Sequence, residues 1–484
     1  MSKLRSWNVI LLLAVFCAAT AMVARAQDRQ TSASSVTFTS LFSFDVTHGA
    51  FPEYGPLAQG LDGNFYGTTY GGETASWGTV YKITAGGAVT TLYNFCSQPY
   101  CADGSNPWDG VVLATNGNFY AATGQGGANG WGTVFKITPT GALSTIYSFC
   151  SQPGCTDGVF PVTALVQGTN GNFFGTTPSA AVFGSYGTVF EITPAGTLTT
   201  LHTFEGDDGD SPGGPLIQAT DGNFYGTTGA GGAYGLGTVF KISAGGKLTT
   251  LHSFNGTDGS GPDGPLVQAS DGNFYGTTTQ GGAHNNCPNG CGTVFKITPG
   301  GTLITLHSFD GTDGSFAIAG LIQATDGNFY GTTEGGASGS GTVFKITAGG
   351  TLTTLHTFDG TDGYAPAATL LQATNGNLYG TTTAGGEGNA CGSFGCGTVF
   401  SLSVGLRPFV KTLPTAGKAG RTVIILGSNL KGATNVTFNG IPATITFNSK
   451  TEIKTTVPSG ATTGYVKVTT PSGTLTSNVK FRVL

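Results

Sequence analysis

The chain has 484 residues, including 82 glycines and 21 prolines; only 9% of residues are charged, and the formal net charge is −5. The glycines follow no three-residue period, which excludes collagen, and 38% hydrophobic with 11% aromatic residues excludes a disordered chain. This composition predicts a glycine-rich all-β protein with a packed core and excludes a coiled coil.

Residues 1–26 have the pattern of a secretory signal peptide. Lys3 and Arg5 precede an apolar run from Val9 to Val23, and Ala24-Arg25-Ala26 follows as a cleavage site. A membrane anchor is the alternative, but the run is short for a bilayer. We therefore expect cleavage near Ala26, a linker over residues 27–35, no transmembrane segment in the mature chain, and a secreted, periplasmic or outer-surface location.

From residue 36 the chain consists of repeated units. The phrase GNFYGTT, or a close variant, begins at Gly63, Gly117, Gly171, Gly222, Gly272, Gly327 and Gly376. The phrase GTVFKIT begins at Gly78, Gly132, Gly187, Gly237, Gly292, Gly341 and Gly397. Seven units with a period of about 50 residues are typical of propeller blades, which have four strands each.

The fourth unit shows how one blade is built. Its predicted strands are Pro215–Ala219, Asn223–Thr228, Thr238–Ser243 and Lys247–Phe254, separated by glycine-containing turns. The last unit lacks a fourth strand, whereas Val36–Phe44 precedes the first unit as an unmatched one. We therefore predict a seven-bladed β-propeller over residues 36–404 that is closed by the N-terminal strand, which removes exposed sheet edges.

The recurring phrases GNFYGTT, GTVFKIT and GTDG resemble the GloVer tandem repeat, and the resemblance covers nearly all of residues 36–404. It implies an exported bacterial β-propeller. The family is described with several kinds of C-terminal anchor, and none is recognised in this sequence. No activity follows from the resemblance.

Strand order predicts which face of the propeller binds ligands. The loop between the second and third strands lies on the same face as the connection to the next blade. The turns on the other face are short, of the Asp/Asn-Gly and Gly-Gly kinds. Length variation is confined to the first set of loops, and variable loops on a rigid scaffold commonly bind ligands.

Aromatic residues mark candidate binding positions on that face. The residue before GTV is Trp77, Trp131 and Tyr186 in the first three units, and Trp108 lies in a neighbouring loop. Flat rings with polar edges suit sugars or a partner protein. The alternative is that these rings are packed beneath the loops.

Recurring polar residues favour structural roles. Four histidines share one position of the fourth strand, namely His202, His252, His307 and His356, whereas a catalytic histidine is needed only once. The GTDG loops are acidic, and Asp207, Asp208 and Asp210 form the densest cluster. Oxygen ligands on glycine-rich loops suit Ca²⁺, so this cluster is the candidate calcium site, although Asp-Gly turns are common without metal. No other cofactor is predicted.

The cysteines of the mature chain fall into four local couples. These are Cys96 with Cys101, Cys150 with Cys155, Cys287 with Cys291, and Cys391 with Cys396. Zinc would require couples that converge on one ion, whereas the repeat places these in different units. An even count in an exported chain predicts four disulfides that clip loops.

Residues 405–484 differ in composition and form a second module. Strand-like stretches occur at Thr422–Leu426, Asn435–Phe438, Glu452–Val457 and Tyr465–Thr469. The module resembles an IPT/TIG domain, which implies an immunoglobulin-like β-sandwich used as a spacer or binding module. The residues that match are Gly420, Gly427, Asn429, Phe438, Gly440, Pro458, Gly464 and Gly473.

Charge is divided between the two modules. Residues 36–404 hold 23 Asp and Glu against six Lys, whereas residues 405–484 hold ten Lys and Arg and one Glu. The basic module either contacts an anionic surface or packs against its own acidic propeller. Nucleic acid is not an expected partner of an exported protein with so acidic a main domain.

These observations predict an exported, non-catalytic protein that binds a glycan or a surface protein with one face of the propeller. One alternative is an extracellular enzyme, a hydrolase or lyase acting on polysaccharide, and another is a surface scaffold. Fold alone does not choose among them. A pair of acids that break the repeat and face the central channel would favour hydrolysis.

Overall fold

A computed structural model describes residues 36–71, 77–179, 186–388 and 390–484. The predicted signal peptide and linker lie outside the described residues. The described chain is all-β, with short 3₁₀ turns at Pro99–Cys101, Pro153–Cys155 and Gly392–Phe394. No helix in this part of the chain has the length and apolar character needed to cross a membrane.

Strands β1–β28 form seven four-stranded antiparallel sheets. The strands are, in chain order, β1 Thr37–Ser43; β2 Ala58–Gln59, β3 Phe65–Thr69, β4 Thr79–Ile83, β5 Val89–Asn94; β6 Val112–Leu113, β7 Phe119–Thr123, β8 Thr133–Ile137, β9 Leu143–Ser148; β10 Val166–Gln167, β11 Phe173–Thr177, β12 Thr188–Ile192, β13 Leu198–Thr203; β14 Ile217–Gln218, β15 Phe224–Thr228, β16 Thr238–Ile242, β17 Leu248–Ser253; β18 Val267–Gln268, β19 Phe274–Thr278, β20 Thr293–Ile297, β21 Leu303–Ser308; β22 Ile322–Gln323, β23 Phe329–Thr333, β24 Thr342–Ile346, β25 Leu352–Thr357; β26 Leu371–Gln372, β27 Leu378–Thr382 and β28 Thr398–Ser403.

The N-terminal strand β1 belongs to the seventh sheet. It pairs antiparallel with β28, with Thr37 opposite Ser403 and Ser43 opposite Thr398. The order of that sheet is therefore β1-β28-β27-β26, and the fourth strand that its own unit lacks is supplied from the other end of the repeats.

Neighbouring sheets pack through aromatic rings of their second strands. Tyr225 of the fourth sheet stacks on Phe274 of the fifth, with ring centroids 4.1 Å apart. The seventh sheet contacts the first in the same manner, with 4.2 Å between the rings of Tyr379 and Phe65. Because the two residues of each FY pair point to opposite faces of the sheet, each blade is buried on both faces.

Glutamine side chains link the sheets on the face with short turns. Each accepts a hydrogen bond from a backbone N–H in the first turn of the preceding sheet, as Gln218 does from Thr169 at 2.9 Å. Gln59 makes the equivalent bond with Thr374 at 3.0 Å, which joins the first sheet to the seventh. The second sheet has Leu113 at this position.

The four predicted disulfides are present. They join Cys96 to Cys101, Cys150 to Cys155, Cys287 to Cys291 and Cys391 to Cys396. Each closes a loop on the variable face, so the bonds stiffen loops rather than join blades.

The C-terminal module is a β-sandwich. Its strands are β29 Lys411–Leu413, β30 Ala416–Gly417, β31 Thr422–Leu426, β32 Asn435–Phe438, β33 Ile441–Ala443, β34 Ile445–Asn448, β35 Glu452–Thr456, β36 Val466–Thr470, β37 Gly473–Thr476 and β38 Arg482–Val483. One sheet has the order β29-β31-β35-β34 and the other β33-β32-β36-β37. Val423, Ile453 and Val468 are among the fully buried residues between them.

The module lies on the face of the propeller that carries the short turns. The Thr451 hydroxyl donates to the Leu61 carbonyl at 2.7 Å, and the Arg421 guanidinium donates to the Thr169 carbonyl at 3.3 Å. The Arg482 guanidinium donates to the Thr220 carbonyl. These carbonyls belong to turns of three different sheets, so the module covers this end of the ring and leaves the variable face open.

Candidate functional site

A cavity of about 360 Å³ lies at the centre of the ring of sheets. Every sheet contributes to its lining, which comprises Tyr54, Pro56, Trp108, Asp109, Val162, Ala164, Gly213, Pro215, Asp263, Gly264, Pro265, Ile318, Ala319, Ala367 and Thr369. These residues lie at the end of each connection between sheets, just before the first and innermost strand of the sheet that follows. The cavity therefore belongs to the variable face, opposite the C-terminal module.

One position of the repeat supplies most of the variation in this lining. Six connections contain a residue with positive φ, then proline or, in the sixth sheet, alanine, then a residue that lines the cavity. That lining residue is Trp108, Val162, Gly213, Asp263, Ile318 or Ala367. The connection that leads into the first sheet is one residue longer, and Glu53 and Tyr54 together occupy the equivalent position. The repeat thus holds the backbone constant while the side chains differ from blade to blade.

Two aromatic residues of the lining, Trp108 and Tyr54, form one wall of the cavity, and Tyr70 packs against Trp108. The Trp108 ring centroid lies 4.7 Å from that of Tyr70 and 5.9 Å from that of Tyr54, to which it is nearly parallel at 12°. Gly124 makes room for the indole, because a Cβ there would lie 2.8 Å from the Cδ1 atom of Trp108. The wall is therefore a fitted arrangement contributed by the first two sheets.

Asp109 is a buried acid of the lining, with 6% of its surface exposed. Its Oδ1 accepts from the Gly110 N–H at 2.7 Å, and its Oδ2 accepts from the Ala164 N–H of the next sheet at 2.6 Å. Burial raises the pKa of Asp109 to about 7, although both backbone hydrogen bonds oppose this. Asp109 thus joins two blades at the edge of the cavity.

Asp263 lies in the fifth sheet. Its Oδ2 accepts from the Thr279 hydroxyl at 2.8 Å, and burial raises its pKa. A Cβ on Gly229 would lie 2.3 Å from the Asp263 Oδ1, so glycine there leaves space for the carboxylate. Among the described residues, only Oδ2 of this carboxylate accepts a hydrogen bond.

Glu53 directly precedes the lining residue Tyr54, and its electrostatic environment includes Glu334, although neither glutamate is a lining residue. The Oε2 of Glu53 is buried and has no hydrogen-bond partner within the described chain. Burial and repulsion by Glu334 raise the pKa of Glu53 to about 7, and burial raises that of Glu334. Burial and the charges of Glu334, Glu53 and Asp263 raise the pKa of Tyr54 to about 12. These side chains therefore share one electrostatic environment.

No basic residue belongs to the cavity lining described above. Two propeller lysines lie on the opposite face, where Lys241 pairs with Asp221 and Lys296 with Asp271, each at 2.9 Å. The cavity acids are therefore not neutralised by a cation of their own lining.

The predicted aromatic residues fall in two places. Trp77, Trp131 and Tyr186 are 44%, 36% and 38% exposed on the variable face, and none of them lines the cavity. Their backbone carbonyls accept hydrogen bonds from the backbone N–H of the residue that precedes the proline in the connection to the next blade. Trp77 accepts in this way from Asn106 at 2.7 Å. Trp108 lies instead in the cavity wall.

In the third to sixth sheets, the recurring histidines bind the acidic loop that follows their own strand. The Nε2 of His202, His252, His307 and His356 lies 2.7 or 2.8 Å from the Oδ2 of Asp208, Asp258, Asp313 and Asp362 respectively. In the first two sheets a tyrosine hydroxyl takes this role, as Tyr147 does with Asp157 at 2.7 Å. The histidines therefore have the structural role that their recurrence predicts, and it is a polar one.

Two residues of the proposed calcium cluster have protein partners. Asp208 binds His202, and Asp210 accepts from the Ser211 hydroxyl at 2.8 Å, while Asp207 is exposed. Within the described residues, no group of three or more His, Cys, Asp or Glu is placed to hold a metal ion. A calcium site at Asp207, Asp208 and Asp210 stays a prediction that only titration with the ion tests.

Sequence reasoning did not single out Glu53, Tyr54, Asp109 or Glu334. The available signal is the alignment of the seven units at the residue after the proline, where Trp, Asp and Glu stand beside Val, Gly, Ile and Ala.

Comparison with known proteins supports the architecture. The Gloeobacter/Verrucomicrobia repeat model matches residues 29–204, 155–316 and 285–424, and the IPT/TIG domain model matches residues 409–483. No curated protein matches the chain.

Several solved structures are similar at low identity. A fungal alcohol oxidase of the AA5 family, in complex with copper, is 13% identical over 92% of this chain and 98% of its own, with a TM-score of 0.51. A putative 6-phosphogluconolactonase from Bacteroides uniformis is 16% identical over 62% of this chain and 83% of its own (TM-score 0.42). A gluconolactonase from Xanthomonas campestris is 12% identical over 62% and 87% (TM-score 0.37). At such identities the likeness concerns the fold alone.

Proposed function

This chain belongs to the Gloeobacter/Verrucomicrobia repeat family and carries a C-terminal IPT/TIG domain, and we propose that it is an exported glycan-binding protein. The axial cavity receives the end of the glycan chain. The observation that carries this proposal is the convergence of residues that break the repeat, above all Trp108, Asp109 and Asp263, on one cavity. Four disulfides suit an oxidising, extracytoplasmic compartment.

The chemistry of the cavity suits a sugar. The indole of Trp108 offers a flat apolar surface for the C–H face of a pyranose ring, with Tyr54 and Tyr70 beside it. The free Oδ1 of Asp263 and the unpartnered Oε2 of Glu53 are acceptors for sugar hydroxyls. A volume of about 360 Å³ lies in the lower range of ligand pockets and holds one or two sugar residues rather than a long chain.

The exposed aromatic residues extend this surface outward. Trp77, Trp131 and Tyr186 lie on the same face as the cavity and would contact further sugar residues or the protein that bears the glycan. We place the specific contacts in the cavity because its side chains are held by packing, whereas those of the outer residues are more exposed.

The basic module orients the propeller in this proposal. Arg421 and Arg482 are used against propeller carbonyls, which supports packing of the module on its own propeller. Exposed lysines remain on the module at Lys418, Lys431, Lys450, Lys467 and Lys480. These would hold the protein at an anionic surface with the cavity facing outward.

A glycan array with the chain lacking residues 1–26, followed by calorimetry on the glycans retained, tests this function. The informative variants are Trp108→Ala in the cavity and Trp77→Ala outside it. Selective binding that is lost in Trp108→Ala and kept in Trp77→Ala supports the cavity. The reverse pattern moves the site to the exposed aromatic residues, and an absence of binding to any glycan overturns the proposal.

Hydrolysis is the second candidate, because acids with raised pKa values in one cavity are typical of catalytic carboxyl pairs. Glu53, with a pKa of about 7, would act as the general acid, and Asp263 as its partner. Release of reducing ends from a bound glycan, abolished by Glu53→Gln or Asp263→Asn, would establish an enzyme. Binding without release supports the non-catalytic function.

A further inference from the structure

We propose that the ligand of the axial cavity is an organic cation: a protonated or quaternary amine on a compact body, which for a glycan ligand means an amino sugar. This inference rests on the proposed function and specifies the chemical class of the ligand. The charge, the hydrogen-bonding groups, the aromatic rings and the shape of the cavity each support it.

The charge around the cavity is of one sign. Asp109 and Asp263 line it, Glu53 directly precedes the lining residue Tyr54, and the lining contains no Lys, Arg or His. Elsewhere in the propeller the acids have partners: Asp221 pairs with Lys241, and Asp258 pairs with His252. A group of partly buried carboxyls with no counter-charge is costly unless protons or a bound cation neutralise it.

Hydrogen-bonding capacity is also left over. The Oε2 of Glu53 is buried without a partner, and Asp263 uses only Oδ2, through Thr279. Both leftover groups are acceptors. A ligand that complements them must donate, and an ammonium group supplies N–H donors together with the missing positive charge.

The aromatic wall favours the same chemistry. The rings of Trp108 and Tyr54 both border the cavity and are nearly parallel at 12°, and Tyr70 packs against Trp108 at 64°. A cation near the face of tryptophan or tyrosine is attracted by the ring quadrupole, and this attraction strengthens when water is excluded.

The remaining lining excludes a bare ion. Pro56, Pro215, Pro265 and Ile318 present apolar surface, and no set of metal-binding side chains occurs among the described residues. A small inorganic cation would leave that surface uncovered and the cavity largely unfilled. An amine attached to a sugar ring or a similar body fills both the polar and the apolar parts.

The test uses the chain without residues 1–26 and two pairs of probes that differ in charge. One pair is a glucosamine tetramer and its fully N-acetylated counterpart, and the other is choline and its uncharged isostere dimethylbutanol. Affinities are measured by isothermal titration calorimetry at low ionic strength. We expect the charged member of each pair to bind at least about ten-fold more tightly than the neutral member.

Matched variants locate the effect. Glu53→Gln and Asp263→Asn keep the shape of the side chains and remove their charge, and each should reduce the preference for the charged probe by about ten-fold or more. The control is Glu205→Gln, the same chemical change as Glu53→Gln at an exposed site on the same face, which should leave the preference unaltered. Thermal unfolding of each variant shows that it is folded.

The outcomes separate this inference from the proposed function. Equal affinities within each pair, or tighter binding of the neutral members, would overturn the cation inference and leave glycan binding standing. A preference that persists in both cavity variants would place the cation elsewhere and also overturn it. If neither pair nor any glycan of the array binds, the proposed function fails as well.

Discussion

The two faces of the propeller use the same repeat in different ways. On the face with short turns, the seven units are nearly interchangeable, glutamine links join the sheets, and the C-terminal module lies across their turns. On the other face, the same backbone positions carry Trp108 in one unit, Asp263 in another and Ala367 in a third. The units are therefore alike on one face, whereas on the other face their side chains differ around the central cavity. This contrast indicates a common scaffold that carries one distinct candidate site.

The largest expected effect separates scaffold from site. Phe344→Ala removes a fully buried ring that meets Phe309 at 5.4 Å, and this should lower the free energy of unfolding by about 3–5 kcal/mol. Trp108→Ala removes a partly exposed ring that lines a cavity, so it should cost far less stability while abolishing ligand binding. Chemical denaturation and calorimetry on both variants make the comparison.

The contrast has a control in the repeat itself. Phe295 is the equivalent residue of the fifth sheet and is also fully buried, so Phe295→Ala should match Phe344→Ala. A large difference between these two, or a loss of stability in Trp108→Ala as great as theirs, would contradict the division into scaffold and site.

The scaffold could be predicted from the sequence, whereas the cavity could not. The blade strands depend on local phrases that recur in all seven units. The disulfides follow from four local cysteine couples, and the pairing of Val36–Phe44 with the last unit follows from the strand that this unit lacks. In the C-terminal module the predicted Thr422–Leu426 and Asn435–Phe438 coincide with observed strands. Turn chemistry and strand periodicity suffice for such elements.

The cavity could not be predicted in this way. Tyr54, Trp108 and Asp263 are separated by up to about 200 residues and meet only because the sheets follow one another in a ring. The burial of Tyr54 and Asp263, and hence their raised pKa values, depends on the distance of each connection from the axis, which no single unit encodes. Trp108 was grouped with Trp77 because both are aromatic and near in sequence, whereas the fold places their side chains in different surroundings.

A pH-dependent effect on stability is expected next. The pKa of Glu53 is about 7 in the folded protein against 4.5 for the ordinary side chain, so the folded state retains the proton more firmly. Stability from this group is therefore complete below about pH 4.5 and is lost as the pH rises through about 7. Burial and the charge of Glu334 cause this shift, and Glu53 in turn raises the pKa values of Tyr54 and Tyr70.

Glu53→Gln removes this dependence. The variant should be more stable than the parent above pH 7, by roughly 1–2 kcal/mol after allowance for solvent screening, and equal to it at acidic pH. Part of the slope remains because the pKa of Asp109 is also about 7. Urea unfolding at a series of pH values measures it, with Asp207→Asn as the control. Parallel profiles for Glu53→Gln and the parent would show that Glu53 is solvated.

A moderate effect is expected where the variable face is structural rather than functional. His252 binds Asp258 at 2.8 Å, whereas Tyr147 makes the equivalent bond to Asp157 in the second sheet. His252→Tyr should therefore keep the stability of the parent, and His252→Leu should lower it by about 1 kcal/mol because Asp258 loses its partner. Thermal unfolding of the two variants tests this. Equal losses would mean that the histidine is needed for its shape and not for its hydrogen bond.

The smallest effect belongs to the face with short turns. Lys241 pairs with Asp221 at 2.9 Å, but about a third of each side chain is exposed, so the ion pair contributes little. Hydrogen bonds from Asn223 and Lys241 hold the pKa of Asp221 at about 2 despite partial burial, so this stabilisation is present above about pH 4 and is lost as the pH falls towards 2. Lys241→Met should change the unfolding free energy by less than about 0.5 kcal/mol at neutral pH and leave ligand affinity unchanged. Should Lys241→Met instead weaken ligand binding, charges on the two faces would be coupled across the disc, and the acids at the axis could not be treated as an isolated site.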